Sequence, residues 1–203
     1  MRIEPGYLLG MVMQTIAEPR KVARELFDLQ IERGALWMIL ILVLTLSSGL
    51  SVLIGTFFPP DPAFDGTIFA NPFMTSIAEA SLGIIGVFLV FWVGRMTGGT
   101  GRFEDAIMTL AWMEFVLLMF AMITILVMLF APAIGLLLWV MGTVTSFWVL
   151  SHFTAEMHGF KSALSVFFGI VLTCFVILLV VSVMLTLAGV GAGALSGMEG
   201  LEG

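Results

Sequence analysis

The sequence predicts an all-α polytopic membrane protein: five transmembrane helices behind an N-terminal amphipathic interfacial helix pair. Three observations predict it. The 203 residues are 60% hydrophobic, with a mean hydropathy of +1.15. Only 11% are charged, where water-soluble domains carry about 25%, so a polar coat around one buried core is out of reach. The apolar residues also run continuously over stretches of about 20, which fits membrane helices and not the alternation of barrel strands.

The elements follow in chain order. Residues 1–34 form a cytoplasmic, interfacial region. Tyr7 to Ile16 is apolar but too short to span. Pro19 suits the first turn of a helix. Val22, Leu26 and Leu29 then recur at i, i+4 and i+7 with charges between them, the pattern of a helix lying on a surface. The pair either packs along its own bundle or offers a docking face. Five spans follow, at 35–58, 73–94, 106–130, 133–153 and 162–189. Pro59-Pro60 closes the first, and Ala131-Pro132 turns tightly between the third and fourth. Residues 190–203 read as a Gly-rich tail. Gly189, Gly193 and Gly197 carry G-x-x-x-G spacing there, as a helix contact or a frayed end.

Orientation comes from the basic residues. Arg2, Arg20, Lys21, Arg24 and Arg33 precede the first span, Arg95 and Arg102 lie between the second and third, and Lys161 precedes the fifth. All eight fall on one side, and Asp61, Asp65, Glu199 and Glu202 on the other. The positive-inside rule places the N-terminus in the cytoplasm and the C-terminus outside. The first apolar run is too long for a signal sequence and reads as a retained span.

Few residues offer chemistry. Cys174 is the one cysteine, which excludes a disulfide framework and a thiolate cluster. The stretch "RMTGGTGRFEDAIMTLAWMEF" has the glycines of a phosphate loop, but no Lys-Ser/Thr follows them. It reads as a cytoplasmic turn: Arg95 and Arg102 at the headgroups, Gly98, Gly99 and Gly101 permitting positive φ, and Thr100 capping the next helix. Glu79 and Glu114 lie within spans, where a carboxyl must face protein or water. Glu79 shares a helix face with Ser76, Gly83 and Gly86, and this stripe is expected to meet Ser47, Ser51 and Gly55 of the first span, with Glu79 near Ser47 or Ser51. Glu114 is expected level with Trp148 and near Ser151 and His152. Depths counted along the helices separate the two glutamates by about 14 Å, too far for a direct pair. They serve as helix glue, as a proton or ion path, or in partner binding. His152, Glu156 and His158 form a thin metal constellation, against the simpler reading of interfacial histidines. No nucleophile, base and oxyanion hole come together, so neither enzyme activity nor a cofactor or metal is expected.

Three stretches resemble the bacterial branch of the YIP (Ypt-interacting protein) membrane-domain family: "IAEPRKVARELF", "GGTGRFEDAIMTLAW" entering the third span, and "EMHGFKSALSVFF" entering the fifth. The resemblance implies five spans with a cytoplasmic N-terminal region. Eukaryotic relatives bind small GTPases in membrane trafficking, and the Asp-Leu-Tyr-Gly-Pro stretch of their second span has no counterpart here. For bacterial relatives the resemblance implies a membrane scaffold. The resulting expectation is a non-enzymatic scaffold or accessory subunit in a bacterial inner (plasma) membrane. Its partners would be the lipid bilayer, other membrane proteins or a second copy of itself, and not nucleic acid. The alternative is a small proton- or ion-coupled transporter using Glu79 and Glu114.

Overall fold

A computed structural model describes residues 5–57, 67 and 70–187. Seven helices and no strand occur among them: α1 (Pro5–Ala17), α2 (Pro19–Phe27), α3 (Arg33–Phe57), α4 (Pro72–Met96), α5 (Phe103–Met128), α6 (Pro132–His158) and α7 (Ala163–Leu187). The last five are long and apolar enough to cross a membrane. The loop acids Asp61 and Asp65, and the tail with Gly189, Gly193, Gly197, Glu199 and Glu202, lie outside the described residues.

Local chemistry fixes the ends. Proline occupies the first turn of α2, α4 and α6, where its missing N–H costs no hydrogen bond. Asn71 caps α4, its Oδ1 accepting from the N–H groups of Phe73 and Met74 at 3.0 and 3.3 Å. Thr100 does not cap α5. Arg102 holds that position without a side-chain bond, and Glu104 and Asp105 in the first turn complement the helix dipole. α6 continues to His158, five residues past the expected end, and stops at Gly159 in the left-handed region (φ 72°). Phe160 N–H donates there to the Ala155 carbonyl at 2.8 Å.

Helices α1 to α6 form one compact unit. α5 supplies most of its core: Ala106, Ile107, Leu110, Ala111 and Val116 are buried against Leu36, Leu40 and Leu44 of α3, Val87 of α4 and Phe153 of α6. These core residues gather at the N-terminal half of α5 and the C-terminal half of α6. Elsewhere the helices keep exposed aliphatic faces suited to lipid, and contact there rests on close packing rather than on water exclusion. Trp37, Phe88, Phe91 and Phe103 form a ring cluster joining α3, α4 and α5, with the Arg33 guanidinium 5.5 Å above Phe103.

α1 and α2 form a strap on this unit. Val22, Ala23 and Leu26 are buried, as are Met11, Val12 and Thr15. The apolar face of α2 is thus taken up by its own bundle and is not an open docking face. Leu29 falls beyond the helix and is 47% exposed, so the third position of the sequence pattern drops out.

α7, the second unit, is described by itself. It is apolar on every side. Thr173 and Thr186 each donate to the carbonyl four residues earlier, both at 2.8 Å, which satisfies their hydroxyls within the helix. Cys174 is exposed on it.

Candidate functional site

Three polar assemblies lie in the α1–α6 unit. The first is at the α4–α5 turn. His158 is 2% exposed, and both of its ring nitrogens meet backbone. Gly101 N–H donates to Nδ1 at 3.1 Å, and Nε2 lies 3.1 Å from the Val90 carbonyl. A backbone N–H can only donate, so Nδ1 carries the lone pair and Nε2 the proton. The ring is neutral and fully satisfied. Thr100 N–H also donates to the His158 carbonyl at 3.3 Å. Three glycines make the room. A Cβ on Gly94 or Gly99 would run into the imidazole, and one on Gly101 would lie 2.7 Å from Met157 Cγ and 2.9 Å from the ring. Only Gly98 of the turn uses a positive φ (93°). Gly99 and Gly101 are therefore needed for close approach, not for backbone freedom. His158 is not an interfacial histidine. Two of the stretches that carry the family resemblance, the glycine turn and the His-Gly junction, are here one interlocked structure.

The second assembly fastens the strap. Trp112 Nε1–H donates to Thr15 Oγ1 at 2.9 Å, and Trp148 Nε1–H donates to the Ile16 carbonyl at 3.2 Å. Arg20 donates to the carbonyls of Phe160 and Lys161 at 3.0 and 3.2 Å. Arg24 pairs with Glu156 at 2.9 Å. At the helix junction Glu18 accepts from Gln14 and from Lys21. The Gln14 bond first, then the Lys21 ammonium, hold its carboxyl below the usual range.

The third assembly is the seam between α3 and α4. Ser48 and Ser76 exchange hydroxyl-to-carbonyl bonds at 3.4 and 3.3 Å. Ser51 Oγ–H donates to Glu79 Oε2 at 3.0 Å. A Cβ on Gly55 would strike the Pro72 ring at 2.6 Å, and one on Gly83 would lie 2.8 Å from Leu44. The seam on α3 therefore runs Leu44, Ser48, Ser51, Gly55. Ser47 sits one residue out of phase and makes none of these contacts, because one residue turns a helix face by about 100°. Gly86 faces α5 instead, 3.2 Å from Leu110 measured from its Cβ position.

Glu114 is not beside Trp148, Ser151 or His152. Trp148 donates to Ile16, Ser151 to the Phe147 carbonyl at 2.6 Å, and His152 Nδ1 to the Trp148 carbonyl at 2.9 Å. Glu114 points to the other side of α5, its Oε1 3.7 Å from a Cβ position on Gly83. Gly83 is one turn from Glu79 on α4, so the two acids differ in depth by about 6 Å and not by about 14 Å. The count along each helix assumed a common starting level, and the packing of α4 against α5 sets that level instead. Among the described residues no hydrogen bond reaches Glu114 or joins the two acids. Nor does any group of three metal-ligating side chains occur among them: His158 faces the glycine turn, and Glu156 is held by Arg24. Arg95 and Arg102 are exposed on the turn, Arg102 3.9 Å from Glu104.

Sequence reasoning missed Gly94, Thr15 and Trp112. Gly94 carried a signal, as a glycine closing an apolar run just ahead of the turn. Thr15 and Trp112 carried none, since they meet across 97 residues.

Helices this long and apolar, bound by hydroxyl seams and capped by an interlocked turn, define a multi-pass all-α membrane protein. The chain belongs to the Yip1 domain family, whose model matches residues 13–185. No curated protein and no solved structure matches it.

Proposed function

We propose that this protein is a non-enzymatic scaffold or accessory subunit of a bacterial inner membrane, with its N-terminus in the cytoplasm and its C-terminus outside. It binds other membrane proteins or lipid. The observation that carries this reading is the use made of its polar groups. His158 spends both ring nitrogens on backbone, His152 bonds within its helix, Glu156 is paired, and the indoles anchor the strap. Groups so engaged hold a shape and leave none of these side chains poised as a base. The basic residues at the strap and the two inner turns support the orientation. The test is purification from native membranes in mild detergent, followed by mass spectrometry of the complex. A stoichiometric assembly with a second protein is the expected result. A homo-oligomer with no companion counts against it.

A second reading, a proton- or ion-coupled transporter, draws on Glu114, which has no hydrogen bond among the described residues and lies against Gly83, one turn from Glu79. It requires flux into vesicles that is lost in E79Q and E114Q while the fold and any assembly persist.

A further inference from the structure

The α3–α4 seam leaves one group unaccounted for. Glu79 is exposed, yet it lies well inside a membrane span. α4 is 25 residues long, or about 37 Å, against a hydrocarbon core of about 30 Å. Glu79 is seven residues from Pro72, about 10 Å along the axis, so it sits about 7 Å below the hydrocarbon boundary. A glutamate side chain is too short to reach the headgroups as a lysine does. Among the described residues its one hydrogen bond, from Ser51, reaches Oε2. Intramembrane acids face protein or water, not lipid.

We infer that Glu79 is the anchor of a docking face for a transmembrane helix of a different protein, one that brings a basic side chain to the depth of Ser51 and Glu79. Charge complementarity selects this occupant. The eight Lys and Arg of this chain all lie outside the Pro72-side half of its spans, and none follows Lys161. The sequence therefore brings no lysine or arginine of its own, from this copy or a parallel second one, to the depth of Glu79. The surrounding surface suits a helix: Ser51 is already turned toward the acid, and Leu82, three residues on and on the same side of α4, is exposed. The small residues of the seam let α3 and α4 approach closely, so an incoming helix meets a pre-formed ridge. This inference rests on the scaffold reading and names the kind of partner it takes.

The test uses the full-length protein in phosphatidylcholine vesicles, with donor and acceptor dyes. The probes are three poly-leucine transmembrane peptides: one with a lysine at the depth of Glu79, one with that lysine moved a full turn deeper, and one with none. The matched peptide is expected to associate about five- to thirty-fold more tightly than the lysine-free one, the range of interhelical polar contacts in model peptides. The preference should vanish in E79Q and persist in E114Q. Glu79 is exposed and glutamine is isosteric, so E79Q should fold, which gel filtration checks. Equal binding of all three peptides overturns the inference, as does an unchanged preference in E79Q. Glu79-dependent energy transfer between two labelled copies, without peptide, also overturns it, because the occupant would then be a second copy. A missing companion in native membranes with a positive peptide result would instead refute the scaffold reading and leave the docking face standing.

Discussion

Replacing Gly99 by alanine should unseat His158. The new methyl would come 2.6 Å from His158 Cβ and run into the ring. The ring has no free direction, because both nitrogens are held at 3.1 Å by backbone. Overpacking of this kind costs about 1–3 kcal/mol. A displaced ring also leaves the buried Gly101 N–H without an acceptor, about 1–3 kcal/mol more. Gly99 has no positive φ, so alanine also restricts the unfolded chain and returns about 0.4–1 kcal/mol. The sum is a loss of about 1–5 kcal/mol. The decisive comparison is with H158G, which removes the Cβ as well as the ring. In that background G99A should cost nothing, giving a coupling energy of about 1–5 kcal/mol. Gly98 is the control. Nothing lies within 4 Å of a Cβ there, but its φ of 93° strains alanine. G98A should therefore cost about 1–2 kcal/mol with or without His158. Equilibrium unfolding in detergent micelles or bicelles, read on all six proteins, decides it. A G99A cost under about 0.5 kcal/mol, or one equal in both backgrounds, refutes the argument.

Three further expectations follow from the other assemblies. T15A leaves the Trp112 indole N–H unpaired in a buried place, at about 1–2 kcal/mol. Hydrogen exchange over residues 5–27 should quicken about five- to thirty-fold while α5 stays protected; unchanged exchange would mean the indole bond does not hold the strap. R24A should cost no more than about 1 kcal/mol, since the Arg24 side chain is 65% exposed, and high salt should erase the difference from wild type. Along the seam G55A should be costlier than G83A by about 1 kcal/mol or more, because the Pro72 ring cannot yield while the end of Leu44 can. Thermal unfolding of the two variants in detergent ranks them directly, and the reverse order would contradict the packing described.

The helices were legible because their signals are local. Continuous apolar runs, Pro19 ahead of α2 and Ala131-Pro132 between α5 and α6 each act within a few residues. The seam was legible in kind and misread in phase. Ser47, Ser51 and Gly55 looked like the face, but Ser48 holds the contact, since a step of four residues overshoots one turn by about 40° and a second such step doubles the drift. Glu114 failed for a related reason. Depth can be counted along a helix, but the side of α5 it leaves from depends on where the neighbours stand. The glycine turn was recognised as a reversal, and the reason for two of its glycines was not. Their requirement is set by an imidazole 57 residues later in the chain, and no local pattern announces that.

The strap has a consequence for how the protein is made. Arg20 binds carbonyls of Phe160 and Lys161, the nearer of them 140 residues downstream. At roughly 5–20 residues per second, some 7–28 s of synthesis separate α2 from the carbonyls that receive it. Through that interval Val22, Ala23 and Leu26 have no bundle to cover them. A short helix with one apolar face and flanking cations has a natural waiting place on the bilayer surface. The membrane thus serves this protein first as a workbench for its earliest helices, and only later as the medium its spans occupy.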